Sequence, residues 1–103
     1  MLSRDAHRHQ AEGVHKVARS LSDPRYKAMI ERLVALRHAA DLTQRDVAER
    51  LSESQTYVWK VEKCQQRLDP LQLVEWLRAI DADENKFLID VVAAFPALKK
   101  KRR

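Results

Sequence analysis

The sequence predicts an all-α domain, and three observations carry that reading. A single glycine and three prolines leave little material for hairpins or phosphate-cradling loops. Ala, Leu, Arg, Glu and Lys are abundant, and apolar residues recur at helical rather than strand spacing. Two Asp-Pro steps, Asp23-Pro24 and Asp69-Pro70, each pair a capping carboxylate with a proline suited to a first helical turn. The 103 residues suffice for one small domain with a modest core, plus tails. The expected layout is a flexible N-terminal arm over 1–22, five helices over 23–95 and a basic tail over 96–103.

The arm holds His7, His9 and His15 among Arg, Gln and Glu, with Val14, Ala18 and Leu21 at helical spacing. Three histidines invite a metal, but His7 and His9 fall on different faces of a helix and no thiol or carboxylate completes a set. A loose contact of Arg4, Arg8 or Lys16 with a nucleic-acid backbone is the better expectation; no metal and no cofactor are expected. The first of the five helices opens at Asp23-Pro24 and runs to about Ala39, with Met29, Leu33 and Leu36 as its inward stripe. The second starts at Thr43, whose hydroxyl can cap it, and Asp46 three residues on favours the same start. Val47, Ala48 and Leu51 give this helix its apolar side.

Ser52, Glu53 and Ser54 then break the apolar pattern, and Ser54 can cap a third helix. Val58 and Val61 are the buried positions of that helix, which leaves Gln55, Thr56, Trp59 and Lys60 for the other side. Such a side suits base edges: Gln can pair with adenine, Thr can touch a thymine methyl, and Lys can reach guanine or a phosphate. After a loop at 65–68, Asp69-Pro70 opens a fourth helix. Leu71, Val74 and Leu77 are expected to close the core, with Trp76 as a further candidate. Residues 83–95 form the last helix, where Phe87, Leu88, Val91, Val92 and Phe95 are too apolar for solitary exposure. Part of it is expected to cover the domain and part to pair with a second copy, until Pro96 ends it.

Taken together, residues 31–83 resemble the DNA-binding domain of the lambda-repressor-like (Cro, XRE) helix-turn-helix family. The residues that carry the resemblance are Arg37, Leu42-Thr43-Gln44, Val47-Ala48, Leu51, Ser54-Gln55, Tyr57-Val58, Lys60-Val61-Glu62, Leu71, and Leu77 with Ile80. The resemblance implies that Thr43 and Gln44 start a positioning helix and contact backbone or outer bases. It implies that Ser54, Gln55, Thr56 and Lys60 face base edges in the major groove, and that Lys63, Arg67 and the tail hold phosphates. Tyr57 is expected at the domain edge with its hydroxyl near a phosphate, core packing being the competing view. Arg37 and Glu62 are expected to form a structural ion pair tying the first helix to the end of the third. Symmetric dimers suit the family, because two recognition helices then meet successive turns of one DNA face.

The chain also departs from the family. Asp41, Ser52 and Cys64 stand where glycine is usual, and Glu53 brings a negative charge to the corner. Trp59 replaces a small polar residue. Three readings of it stay open: contact with a thymine methyl or sugar edge, cover for the helix surface, or an anchor for a protein partner.

The formal net charge of +5 sits at the ends: +2 in residues 1–22 and +5 in 99–103, against −2 in 23–98. Long-range attraction to a polyanion should therefore depend on the tails. Cys64 is the only cysteine, the first residues lack the apolar run of a signal peptide, and no stretch approaches membrane-spanning length. A cytoplasmic protein is the expectation. The leading functional expectation is a sequence-specific DNA-binding transcriptional regulator, repressor-like, reading the major groove with the helix at 54–62. Its partner would be double-stranded DNA, with a homodimer through the last helix and a regulatory protein partner left open. The alternative is a protein-interaction module of the same shape, antitoxin- or adaptor-like. No nucleophile–base set or paired carboxylates point to an enzyme, and no catalytic residue is expected.

Overall fold

The computed structural model describes residues 21–95. The expectations for His7, His9, His15, Arg4, Arg8, Lys16 and the helical spacing around Val14, and for the basic tail at 99–103, lie outside the described residues. Within them the fold is all-helical, with α1 at Pro24–Ala39, α2 at Gln44–Leu51, α3 at Gln55–Glu62, α4 at Pro70–Ala79 and α5 at Glu84–Ala93. Among the described residues no strand forms, and no helix is long and apolar enough to cross a membrane.

Each helix begins on a side-chain cap. Asp23, Thr43, Ser54, Asp69 and Asp83 each accept a backbone N–H from the first turn. At α2 and α4 the cap is reciprocal: Asp46 accepts the Thr43 N–H at 2.9 Å, and Gln72 accepts the Asp69 N–H at 2.8 Å. Proline at the first position of α1 and α4 removes a donor that no helical carbonyl could have used.

The first four helices also end alike. Asp41, Ser52, Cys64 and Asp81 all sit in the left-handed region, with φ of 61°, 57°, 58° and 57°. Beside each, two backbone bonds run back into the helix. At Ser52 these are Ser52 N–H to Glu49 O at 3.2 Å and Glu53 N–H to Ala48 O at 2.9 Å. The same pair recurs as Asp41 to His38 with Leu42 to Arg37, Cys64 to Val61 with Gln65 to Lys60, and Asp81 to Arg78 with Ala82 to Leu77. This is the Schellman closure, in which the left-handed residue lets the chain reverse onto the last free carbonyls. Glycine is the usual occupant because it lacks a Cβ. Here Asp, Ser and Cys take the geometry themselves, so the absence of glycine at 41, 52 and 64 does not alter the corners.

The core is built from Ile30 and Leu33 of α1, Val47 and Ala48 of α2, Val58 and Val61 of α3, and Trp76, Leu77 and Ile80 around α4. Leu68 and Phe87 complete it. α2 packs on α3 and α4, α1 on α3, and α5 on α4. The stripe of α1 is turned from the expected one: Ile30, Leu33 and Arg37 are buried, while Met29 and Leu36 pack only at its margins. The turn brings Arg37, one helical turn beyond Leu33, under the end of α3.

Leu71 is a correction. It is 76% exposed, and Val74 is half-buried, whereas Trp76 is fully buried. α4 buries the 73, 76, 77, 80 face, and Leu71 stands two residues from Leu73, roughly 200° around the helix. Trp76 packs against Tyr57 with ring centroids 6.2 Å apart, and its indole N–H has no hydrogen-bond partner among the described residues. The helix expected to reach residue 95 stops at Ala93, in keeping with Pro96, which disfavours helical geometry at Phe95.

Candidate nucleic-acid interface

The corner at 52–54 sets α3 across α2 so that one side of a two-turn helix is buried and the other is open. Val58 and Val61 are fully buried, while Gln55, Thr56, Trp59 and Lys60 are exposed. Among the described residues, the side chains of Gln55, Thr56, Trp59 and Lys60 make no hydrogen bond or ion pair within the domain. Gln55, Thr56 and Trp59 join Gln44 from the start of α2 around a shallow concavity of about 270 Å³. The surface thus gathers side chains from the starts of both helices of the pair.

Beneath this surface lies a charge network. The Arg37 Nε and Nη2 donate to the two carboxylate oxygens of Glu62 at 2.6 and 2.9 Å, a bidentate pair whose side chains are 8% and 5% exposed. Arg37 Nη1 also donates to the Leu42 carbonyl at 2.9 Å. A planar guanidinium with its donors matched in this way fixes the angle between α1, the turn before α2 and the end of α3. Gln44 adds a fourth strand to the network, its Nε2 donating to Glu62 Oε1 at 2.8 Å. Because a carboxylate only accepts, this bond fixes which end of the Gln44 amide faces Glu62 and leaves the Oε1 acceptor uncommitted among the described residues.

The other expected site residues have mixed placements. The Thr43 hydroxyl accepts the Asp46 N–H at 3.0 Å, and the Ser54 hydroxyl accepts the Tyr57 N–H at 3.0 Å, so both oxygens serve first as helix caps. Asp46 in turn is held below the usual carboxylate range by the backbone and hydroxyl bonds of Thr43. Tyr57 is half-buried against Trp76, away from the open side of α3, and its pKa is pushed up by burial and then by Glu53, Asp69 and Glu75. Those carboxylates make its surroundings electronegative. Lys63 follows α3 and Arg67 lies in the loop beyond it, both exposed. Burial pushes the Cys64 thiol up, which disfavours the thiolate. No group of three or more His, Cys, Asp or Glu that could hold a metal occurs among the described residues.

Sequence reasoning did not anticipate the Gln44–Glu62 bond, because no local pattern links positions 44 and 62. It also passed over Arg45, an exposed cation next to Gln44.

Comparisons with known proteins agree with this geometry. A family model described as a helix-turn-helix domain matches residues 29–86. Among solved structures, an XRE-family like protein from Pseudomonas syringae pv. tomato is 32% identical, with a TM-score of 0.69 over 77% of this chain and 96% of the other. The restriction-modification controller protein C.Esp1396I is 17% identical, with a TM-score of 0.55 over 67% of this chain and 87% of the other. A point mutant of that controller is 16% identical, with a TM-score of 0.55 over 68% and 85%. A comparison with curated proteins found no match. At that identity the controllers speak for the fold alone, but the domain model and the Pseudomonas relative go further, and the chain belongs to the XRE family of DNA-binding helix-turn-helix domains.

Proposed function

We propose that the chain is a sequence-specific transcriptional regulator, repressor-like, that places α3 in the major groove of double-stranded DNA. The observation that carries this reading is the division of α3: two valines wholly buried, and Gln55, Thr56, Trp59 and Lys60 exposed without partners inside the domain. Gln55 and Thr56 then meet base edges near the helix N-terminus, and Lys60 reaches guanine or a phosphate one turn on. Thr43, Gln44 and Ser54 hold the register at the helix starts, and Tyr57 bears on the domain edge. Lys63, Arg67 and the basic tail supply phosphate contacts, which position the protein without carrying sequence information. Residues 23–95 act as the DNA-binding unit between an arm and a tail, working in the cytoplasm, where the DNA is.

Homodimerisation through α5 fits the same reading. Leu88, Ile89 and Val92 are exposed there, with Phe95 just beyond the helix, an apolar surface that a second copy would cover. The same surface, with the net negative charge of residues 23–98, is what favours the second reading, a protein-interaction module of helix-turn-helix shape.

Selection of bound duplexes from a random DNA pool at near-physiological salt tests the proposal, with the full chain and a Gln55→Ala, Lys60→Ala variant side by side. A short motif that vanishes in the variant is expected. No enrichment by a folded chain would overturn sequence reading in favour of the interaction module.

A further inference from the structure

We propose that Trp59 is a specificity-determining residue that reads the C5-methyl group of a thymine in an A·T base pair. The inference rests on the DNA-reading function above and assigns one contact within it. Trp59 is the largest side chain of α3, and it is 41% exposed, whereas Trp76 is wholly buried in the core. It shares its concavity with Gln44, Gln55 and Thr56. Gln55 precedes it by four residues and Thr56 by three, the spacing that places side chains on one helix face about 5–6 Å apart. The open side of α3 therefore presents an aromatic wall directly beside amide groups.

The chemistry of that pairing selects a base pair. In the major groove adenine offers an acceptor and an amino donor, which a glutamine amide matches, and its partner thymine offers an acceptor and a methyl group. Guanine offers two acceptors, which call for the fork of an arginine or a lysine cation. The lining holds two amides, a threonine and an indole, and no cation. Gln44 is held with its Nε2 on Glu62, so its carbonyl oxygen is the end left to accept from an amino group such as adenine N6. Amides for adenine and an apolar wall for the methyl of its partner together complement the A·T edge.

The test uses the full chain and the duplex it selects. Each thymine is replaced in turn by uracil, which differs only in lacking the C5-methyl, and affinity is measured by titration at fixed salt. Uracil at one thymine per half-site is expected to weaken binding by about three- to tenfold, the loss of one desolvated methyl with its packing. Trp59→Ala should bind the thymine and uracil duplexes equally. Trp59→Leu, which keeps an apolar surface, should retain part of the discrimination; a merely structural tryptophan would show no such grading. Circular dichroism of both variants establishes that the fold is kept. Insensitivity to uracil at every position, or equal sensitivity in Trp59→Ala, overturns the proposal, as does a response only to cytosine methylation. If a motif dependent on Gln55 and Lys60 is selected while uracil is neutral, the Trp59 assignment alone falls. If the native chain selects no motif, sequence reading falls and this assignment with it.

Discussion

Glu62→Ala should come close to unfolding this domain. The substitution leaves the Arg37 guanidinium in a site where it is 8% exposed, with the Leu42 carbonyl as its one remaining acceptor. Removing one member of a buried ion pair typically removes about 3–5 kcal/mol, because the surviving charge stays desolvated. Domains of this kind hold roughly 0.05–0.15 kcal/mol per residue, or about 4–11 kcal/mol over the described residues. The variant should therefore lose about a quarter or more of its stability. Urea unfolding followed by circular dichroism reads this directly: with a slope of about 1–1.5 kcal/mol/M the midpoint should fall by about 2–5 M, within reach of complete unfolding. Arg37→Met combined with Glu62→Leu should be less damaging than Glu62→Ala alone, since no charge is left buried and two apolar stems fill the space. A loss below about 1 kcal/mol for Glu62→Ala would match an exposed ion pair and refute the reasoning.

Three further outcomes are expected. Ser52→Gly should raise the melting temperature by a few degrees, since the left-handed conformation strains serine by about 1–2 kcal/mol while glycine adds about 0.5–1 kcal/mol of unfolded-chain entropy; an unchanged or lower value would show that Ser52 is not strained. Acid should weaken the fold through its caps. The side-chain and backbone bonds of Arg25 hold Asp23 down to about 2, and the bonds of Thr43 lower Asp46. A carboxyl lowered in the folded state contributes stability above its unfolded value of about 3.9, and that contribution is lost as pH falls through the folded value. Thermal melts between pH 5 and 2 should thus fall less steeply for a variant carrying Asp23→Asn and Asp46→Asn, and parallel curves would reject the caps as the source. Deleting residues 99–103 should weaken binding to all DNA sequences alike and flatten the salt dependence, by up to about 4.5 in the logarithmic slope if all five charges meet phosphates. An unaltered slope would remove the tail from the interface.

What could be read in advance was local. Thr43 with Asp46, Ser54, and the Asp23-Pro24 and Asp69-Pro70 steps announce helix starts because a cap and its target lie within one turn of sequence. Val58 and Val61 announce the buried side of α3 by spacing alone. Leu71 was misjudged because composition does not give a helix its rotation; Trp76 and its packing against Tyr57 set that phase from across the fold. The pairing of Arg37 with Glu62 spans 25 residues and was legible only through family resemblance, and the third partner, Gln44, was not legible at all. The exposed side of Trp59 followed from its neighbours, but its place beside Gln44 needed the crossing of α2 and α3.

The glycine-free corners have a bearing on heat. The steric strain of a left-handed Asp, Ser or Cys is a property of the native backbone and changes little with temperature. The extra freedom that glycine would give the unfolded chain is an entropy, and its weight grows as temperature rises. At Asp41, Ser52, Cys64 and Asp81 the side chain is therefore at its greatest disadvantage in the cold and recovers ground on warming. Across four such corners the cost of forgoing glycine is thus smallest near the upper end of the stability range, and none of it falls on the exposed face of α3.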